Sequence, residues 1–199
     1  MRLFIFSTQY RNPLDFTETA LQDAQSGLER MYECLAQLAT LPVDGPAGDS
    51  SIGDKDRSGL DSLVTRFYEA MDNDFNTAQA LGHLFDTVKH LNKILRILPE
   101  RPVTADLELL RSAGESFRTL AGVLGVLQHD PAAVIAGKKT KNMVGIDLGE
   151  EEIEQLIAKR NQARAIKDWA ASDEVRDYLL GHHIVLQDSP EGTTWEVKH

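Results

Sequence analysis

Four side chains near the end of the chain, Arg164, Trp169, Asp173 and Asp188, are of the types that read single-stranded nucleic acid. An exposed tryptophan stacks on a base. An arginine offers paired donors to a guanine edge, and an aspartate accepts from the amino groups of cytosine, adenine or guanine. Arg164 and Trp169 lie on or beside the junction of two short predicted helices, with Asp173 one further turn along. Asp188 falls in a predicted hairpin turn that can fold back beside them. The same residues admit a second reading, with Trp169 as core, Arg164–Asp168 as an i,i+4 pair and the other aspartates as solvated caps.

Most enzyme templates fail. The sequence has no glycine-rich phosphate loop, no H-E-x-x-H and no G-x-S-x-G. His83 and His90 stand seven apart on one predicted helix with no carboxylate pair at metal spacing, so they read as exposed or capped histidines. Asp72-Asn73-Asp74 begins like a calcium loop, but Thr77 and His83 occupy the places of its glycine and its bidentate glutamate. Cys34 is the one cysteine of the sequence, which excludes an intrachain disulfide and a cysteine-rich zinc site. It falls within a helical pattern as a small hydrophobe. These patterns nominate no catalytic and no metal-binding residue.

Charge restricts any nucleic-acid role. The formal net charge is −10, and residues 148–199 alone carry 6 basic and 11 acidic side chains. Phosphate attraction demands the opposite sign, so binding must rest on a few local base contacts. The interval 130–147, with Lys138, Lys139 and Lys141 against Asp130 and Asp147, is net +1. Apolar runs stay well short of the roughly 20 residues that cross a bilayer, and Met1–Ser7 lacks a signal-peptide cleavage site. A cytoplasmic protein is expected.

The elements that must position these residues are mostly helices. Leu21, Ala24, Leu28, Met31, Leu35 and Leu38 recur at alternating steps of three and four, behind cap candidates Asp15 and Thr17, with Asp15–Glu18 in the spacing of a capping box. Leu60, Leu63, Val64, Phe67, Ala70 and Met71 form a second stripe. A third helix, capped by Asn76, buries Ala78, Leu81, Phe85, Val88, Ile94 and Leu95. A fourth, capped by Thr104, buries Leu107, Leu110, Phe117, Leu120 and Leu124. Four stripes with mostly short connections predict an antiparallel bundle over residues 1–128. Val43–Gly59, rich in Gly, Asp, Ser and Pro, reads as a mobile loop. Residues 129–148 lack a clear period and read as a linker. Residues 149–199 hold two helices, the second running from Asp168 to a stop at Gly181, and two β-prone runs around Asp188–Gly192. The fold class is therefore mainly α, a bundle followed by a small α+β domain.

Three separated segments resemble one family. Phe67-Tyr68-Glu69-Ala70-Met71-Asp72-Asn73-Asp74-Phe75-Asn76-Thr77, followed by Ala80 and Leu84-Phe85, is similar to the helical-domain signature of bacterial cysteinyl-tRNA synthetases. The opening Leu3-Phe4 through Ser7-Thr8-Gln9-Tyr10-Arg11-Asn12-Pro13-Leu14 resembles the segment beyond their KMSKS loop. The tail resembles their C-terminal domain in Ala163-Arg164, Lys167-Asp168-Trp169-Ala170, Asp173, Arg176-Asp177, Ile184–Asp188 and Gly192–Trp195.

The resemblance implies that the last domain binds the GCA anticodon of tRNA-Cys through Arg164, Trp169, Asp173 and Asp188. It implies that the bundle packs against a catalytic domain and the inner side of the tRNA. The HIGH and KMSKS signatures and the zinc ligands of the family belong to a half upstream of this sequence. The chain alone is therefore expected to be non-catalytic and without a cofactor, while the parent enzyme uses ATP with magnesium and a zinc ion. The apolar opening suggests a natural chain that begins upstream, and Leu3, Phe4 and Phe6 are expected to be exposed and to drive self-association. The competing reading is a stand-alone helical protein-interaction module with no RNA role.

Overall fold

Every helix end leaves backbone donors that need partners, and the caps show where the elements of this chain begin. In the computed structural model, which describes residues 1–142, 148–189 and 192–197, Thr17 Oγ1 accepts from the Ala20 amide and opens α2 (Glu18–Ala39). Asp15 is not the cap, so the Asp15–Glu18 capping box does not form. A short α1 (Arg2–Phe6) precedes it, and α3 (Asp54–Asp61), α4 (Leu63–Asp72), α5 (Thr77–Ile97), α6 (Thr104–Val123) and α7 (Pro131–Asn142) follow. The expected second helix is thus divided at Ser62. Asn76 caps α5 by accepting from the Gln79 amide at 3.1 Å. Between α4 and α5 the chain reverses through Asp74 and Phe75, both left-handed at φ 58° and 50°. Tyr10 and Arg11 close over this turn, Arg11 Nε lying 2.8 Å from Asp74 Oδ2 and Tyr10 Oη donating to Oδ1 at 3.0 Å.

The chain packs as two units, Met1–Ile135 and Ala136–His199. The division falls within α7, so much of the interval read as a linker is helical; Gly145 of that interval lies outside the described residues. The first unit buries Met31, Phe67, Leu84, Leu91, Leu110 and Phe117 in a helical core. On α5 the buried stripe is Leu81, Leu84, Val88, Leu91 and Ile94, while the expected Ala78, Phe85 and Leu95 sit half-buried at its edge. Cys34 lies in this core, where burial pushes its thiol up to about 12.

The opening segment behaves differently from expectation. Leu3 and Phe4 are buried, Phe4 packing edge-on to Phe16 with ring centroids 5.6 Å apart. Arg2 donates to the Gly125 carbonyl at 2.7 Å and fixes α1 against the end of α6. Gly125 is left-handed at φ +66°, and a Cβ there would stand 2.8 Å from the Arg2 guanidinium. The apolar surface left near α1 is a groove lined by Ile5, Phe6, Tyr10, Met71, Phe75 and Val123. Leu3 and Phe4 do not contribute to it.

Residues 43–59 are not a free loop. Asp106, fully buried on α6, accepts from the Ser50 hydroxyl at 2.5 Å, the Ser51 hydroxyl at 2.6 Å and the Ser51 amide at 3.1 Å. Burial pushes the Asp106 carboxyl up, but these hydrogen bonds outweigh it and leave it below the ordinary value. Thr104 is not the cap of α6; its hydroxyl donates to the Gly45 carbonyl at 2.8 Å. Further along, α3 carries a buried Asp56, held by Lys93 Nζ at 2.7 Å and His90 Nδ1 at 3.0 Å from α5. His90 is thus a buried-carboxylate partner. His83 Nδ1 is buried without a hydrogen-bond partner among the described residues.

The second unit begins with α8 (Glu150–Ala165), followed by α9 (Trp169–Gly181) and an antiparallel hairpin of β1 (Ile184–Ser189) and β2 (Gly192–Val197). Its core is Leu148, Ile153, Ile157, Val175, Leu179 and Ile184. Asp168 caps α9 as expected, accepting from the Ala171 amide at 3.1 Å. Gly181 is the last residue of α9, and the left-handed residue beyond it is His183, φ 63°. Pro190 and Glu191 of the expected turn lie outside the described residues. Among the described residues no helix is long and apolar enough to cross a membrane. The first unit is the predicted helical bundle, and the second holds the small α+β end.

Asp106→Ala should cost the first unit about 3 kcal/mol, from three or more hydrogen bonds to a buried charge. Urea unfolding of the full chain measures it; a loss under about 0.5 kcal/mol, the range of an ordinary surface change, would show that the loop does not depend on this carboxylate.

Candidate nucleic-acid interface

Along α8 the buried stripe runs Ile153, Ile157, Arg160, with Arg164 one turn beyond. Steps of four, three and four keep these side chains on one face. The stripe therefore changes from apolar to cationic as the helix reaches its C-terminal, electronegative end, where arginine is favoured. On β1 the alternation of a strand puts Ile184, Leu186 and Asp188 on one face. Ile184 is buried in the core, and Asp188 follows two positions beyond Leu186 toward the end of the strand.

The two faces meet in one ion-pair network. Arg160 Nη1 donates to Asp188 Oδ1 at 2.9 Å and Nη2 to Oδ2 at 2.8 Å, a parallel fork. Arg164 Nη1 donates to Oδ2 at 2.6 Å, and Thr193 Oγ1 to Oδ1 at 2.8 Å from the paired position on β2. The Arg160 side chain is only 6% exposed, whereas Arg164 and Asp188 are each 42% exposed. The Arg160 fork is the main reason the Asp188 carboxyl is held far below the usual carboxylate range. Slight burial opposes this, and Thr193 and Arg164 add to it.

Asp188 is thus a strand residue paired with Thr193 and not part of the turn. It does fold back onto Arg164, as the spacing suggested. The alternative pairing of Arg164 with Asp168 is not formed, since Asp168 caps α9 and Arg164 bonds Asp188. Trp169 is not core: it is 58% exposed on the first residue of α9. The connection that puts it there is tight. Lys167 is left-handed at φ 62°, its amide donates to the Arg164 carbonyl, and the Asp168 amide donates to that of Ala163. This reversal carries the chain from Arg164 to Trp169 in five residues and leaves Ile166 exposed beside them. Asp173 is exposed on α9 and its charge reaches Arg160, whose pKa it helps to raise. Arg164 and Asp188 are therefore in direct contact, and Asp173 acts on the same network through space.

Sequence reasoning missed Arg160. Its signal was an arginine at a position where the Ile153–Ile157 stripe calls for an apolar residue, and a buried charge implies a partner. Chemically the site offers a flat exposed ring, a half-exposed guanidinium with most of its donors free among the described residues, and an exposed carboxylate. That is a stacking surface with donors and acceptors around it. No cluster of residues among those described could hold a metal ion.

Residues 66–128, in the helical unit, match the model of the DALR domain. The fold and this match place the chain among proteins that carry that helical module. The cysteine–tRNA ligase of Desulfotalea psychrophila is 48% identical over 197 residues, covering 99% of this chain and 40% of the relative. That of Geotalea uraniireducens is 42% identical over 207 residues, covering 100% and 42%. That of Geobacter sulfurreducens is 40% identical over 198 residues, covering 100% and 40%. The chain is similar to these cysteine–tRNA ligases over its whole length, and it spans about two-fifths of the length of the curated relatives it matches.

Asp188 has a folded pKa below its unfolded one, so its contribution to stability is complete above the ordinary carboxylate range near 4 and lost as pH falls through that range and below. Urea midpoints of the full chain between about pH 7 and pH 3 should fall with acidification. Asp188→Asn should flatten that fall in part, since Asp56, Asp86 and Asp106 are also depressed. Parallel curves for wild type and variant would refute the linkage.

Proposed function

We propose that this chain is a tRNA-Cys recognition part of a cysteine–tRNA ligase, the enzyme that attaches cysteine to tRNA-Cys using ATP. Its second unit reads the GCA anticodon through Arg164, Trp169, Asp173 and Asp188, and its helical unit faces the inner side of the tRNA. The observation that carries this reading is the pairing of an exposed Trp169 with a half-exposed, charge-anchored Arg164 at one helix junction. A large aromatic ring left in water at the start of a helix is costly unless something covers it, and an unpaired base supplies a face of matching size. The similarity of the chain to cysteine–tRNA ligases supports the same assignment.

The recognition is local. With a net charge of −10 the chain has no broad attraction for phosphate, so its own affinity is weak and rests on base contacts. A cytoplasmic place follows from a role in translation. The HIGH and KMSKS signatures and the family's zinc ligands are not in this sequence, so adenylate formation, with its ATP, magnesium and zinc, belongs to the catalytic domain of the parent enzyme. That domain is the proposed occupant of the groove lined by Ile5, Phe6, Tyr10, Met71, Phe75 and Val123, through which the isolated chain would otherwise self-associate. The competing reading, a helical interaction module without RNA binding, predicts no dependence on nucleic-acid sequence.

At about 50 mM salt the chain should bind a stem-loop carrying GCA and bind less well when the anticodon is changed. Arg164→Ala and Trp169→Ala should each cost about 1–3 kcal/mol of binding with little change in melting temperature. Fluorescence anisotropy with a labelled stem-loop is the measurement. Equal affinity for a GCA and a scrambled loop would sink the proposal.

A further inference from the structure

Beyond Trp169 and Asp173, α9 carries two more exposed side chains at helical spacing, Arg176 and Leu180. Steps of four, three and four from Trp169 keep all of them on one stripe. The side chains that this helix sends into the core are Ser172, Val175 and Leu179, so the stripe lies along the flank of α9 and stays in water. Asp173 acts electrostatically on Arg160 of α8, so this flank is the one that borders the ion-pair network.

The distribution of charge singles out Arg176. Residues 148–199 hold six basic side chains, Lys159, Arg160, Arg164, Lys167, Arg176 and Lys198. Arg160 and Arg164 are bound to Asp188. Lys159 is exposed on the side of α8 away from the Ile153–Ile157–Arg160 stripe, Lys167 belongs to the left-handed turn, and Lys198 lies outside the described residues. Arg176 forms no hydrogen bond and no ion pair through its side chain among the described residues. Asp173 stands three positions before it on the same stripe, within the reach of a helical pair, and still does not capture it. A guanidinium kept open in a unit with 11 acidic side chains has five donors to give.

Its place on the helix suggests what takes them. Arg176 is seven residues past Trp169, about 10 Å further along the helix axis. A strand with one base stacked on the indole must carry its backbone on past that base, and the α9 flank offers it a course with a cation on it. Phosphate is the group of a nucleic acid that arginine meets with paired donors whatever the sequence.

We propose that Arg176 is a phosphate-contacting residue of the second unit: with a base stacked on Trp169, its guanidinium holds the backbone of the adjoining nucleotides and fixes how the strand lies along α9. The inference rests on the reading of the second unit as an anticodon-binding site and adds to it a contact that is blind to base identity. Arg164, Trp169, Asp173 and Asp188 supply discrimination, while Arg176 supplies affinity and orientation.

The salt dependence of binding tests this, since each phosphate neutralised adds about 0.7–0.9 to the slope of log affinity against log salt. The full 199-residue chain is titrated into labelled stem-loops of one stem and two loops, GCA and scrambled, between about 50 and 200 mM salt. Arg176→Gln should weaken both about fivefold, flatten the slope by about 0.7–0.9 and leave the preference for GCA within about twofold of wild type. Arg176→Lys keeps a phosphate-binding charge and should keep the slope. Lys159→Gln removes an equal charge from the far side of α8 and should leave slope and affinity close to wild type. Circular dichroism should show unchanged melting for all three, since neither side chain makes a bond among the described residues. An Arg176→Gln chain with wild-type slope and affinity overturns the inference. So does a loss confined to the GCA loop, which makes Arg176 a base reader. A Lys159→Gln slope as flat as that of Arg176→Gln also overturns it, because the effect is then one of general charge. A wild-type chain that binds the two loops equally removes the anticodon reading while the slopes still report on Arg176; binding of neither loop removes both.

Discussion

A guanidinium cannot be buried without a counter-charge, and the second unit of this protein is arranged around that constraint. Arg160 sits on the face of α8 that also supplies Ile153 and Ile157 to the core. Desolvating it costs several kcal/mol unless the fork is filled. Asp188 fills it from the hairpin, and the register that pairs Asp188 with Thr193 is the one that also puts Leu186 and Trp195 against the core. A slip of one residue would turn Asp188 to the other face and leave the cation unpaired. The charge thus works as a register pin for a hairpin that is too small to be stable alone. The same carboxylate also bonds Arg164, so one burial requirement serves both the fold and the placement of a half-exposed arginine.

On the proposed reading, an acidic chain that binds RNA has to solve a second problem, which is to keep its few useful cations from collapsing onto its many carboxylates. Around the α8–α9 junction the solution is assignment. Asp168 is committed to the Ala171 amide as a helix cap, so it does not capture Arg164 four residues before it. Asp188 is committed to Arg160 by geometry, so it holds Arg164 by one nitrogen and leaves the rest of the guanidinium open. Trp169 stays in water because the left-handed turn at Lys167 starts α9 with its ring outside the core of Ile153, Ile157, Val175 and Leu179. None of these placements needs a positive surface, which agrees with a net charge that offers none.

The parts of this architecture legible in the sequence are those fixed by local rules. Asn76 and Asp168 are caps because a short acceptor side chain stands before a periodic run, and both caps form. The α6 stripe and the hairpin were readable from periods of 3.6 and 2. The errors share a cause, which is that a partner far away in sequence decides the outcome. Thr104 looks like a cap but bonds Gly45, 59 positions earlier. Ser50 and Ser51 look like loop residues but close on Asp106, which ties their segment to α6. Leu3 and Phe4 look exposed because their neighbours on α2 and at Phe16 are not visible to a local window. On α5 the stripe was read one position off at Phe85, since Leu84 and Leu91 face a core whose position only the packing of α2 and α6 defines. At the candidate site four residues could be named by type, but Arg160, the one that holds Asp188, could not.

Both units use the same device for irregular or marginal segments. A carboxylate on a helix or strand is surrounded by donors from the segment that needs holding. Asp106 gathers the serine loop, Asp56 ties the short α3 to His90 and Lys93 on α5, and Asp188 ties the hairpin to α8. The device is specific because a carboxylate accepts in a plane and in fixed directions, so it sets orientation where apolar contact sets only proximity. Its cost is sensitivity to acid, since each tie weakens once the carboxylate is protonated. At Asp106 and Asp56 that orientation secures packing alone. At Asp188 the third donor, Arg164, reaches into solvent, and the tie becomes a means of presenting a charged side chain at a fixed angle beside an exposed tryptophan. On the proposed reading, the difference between a structural carboxylate and a functional one in this protein is therefore not its chemistry but whether one of its donors is left with hydrogens to offer something else.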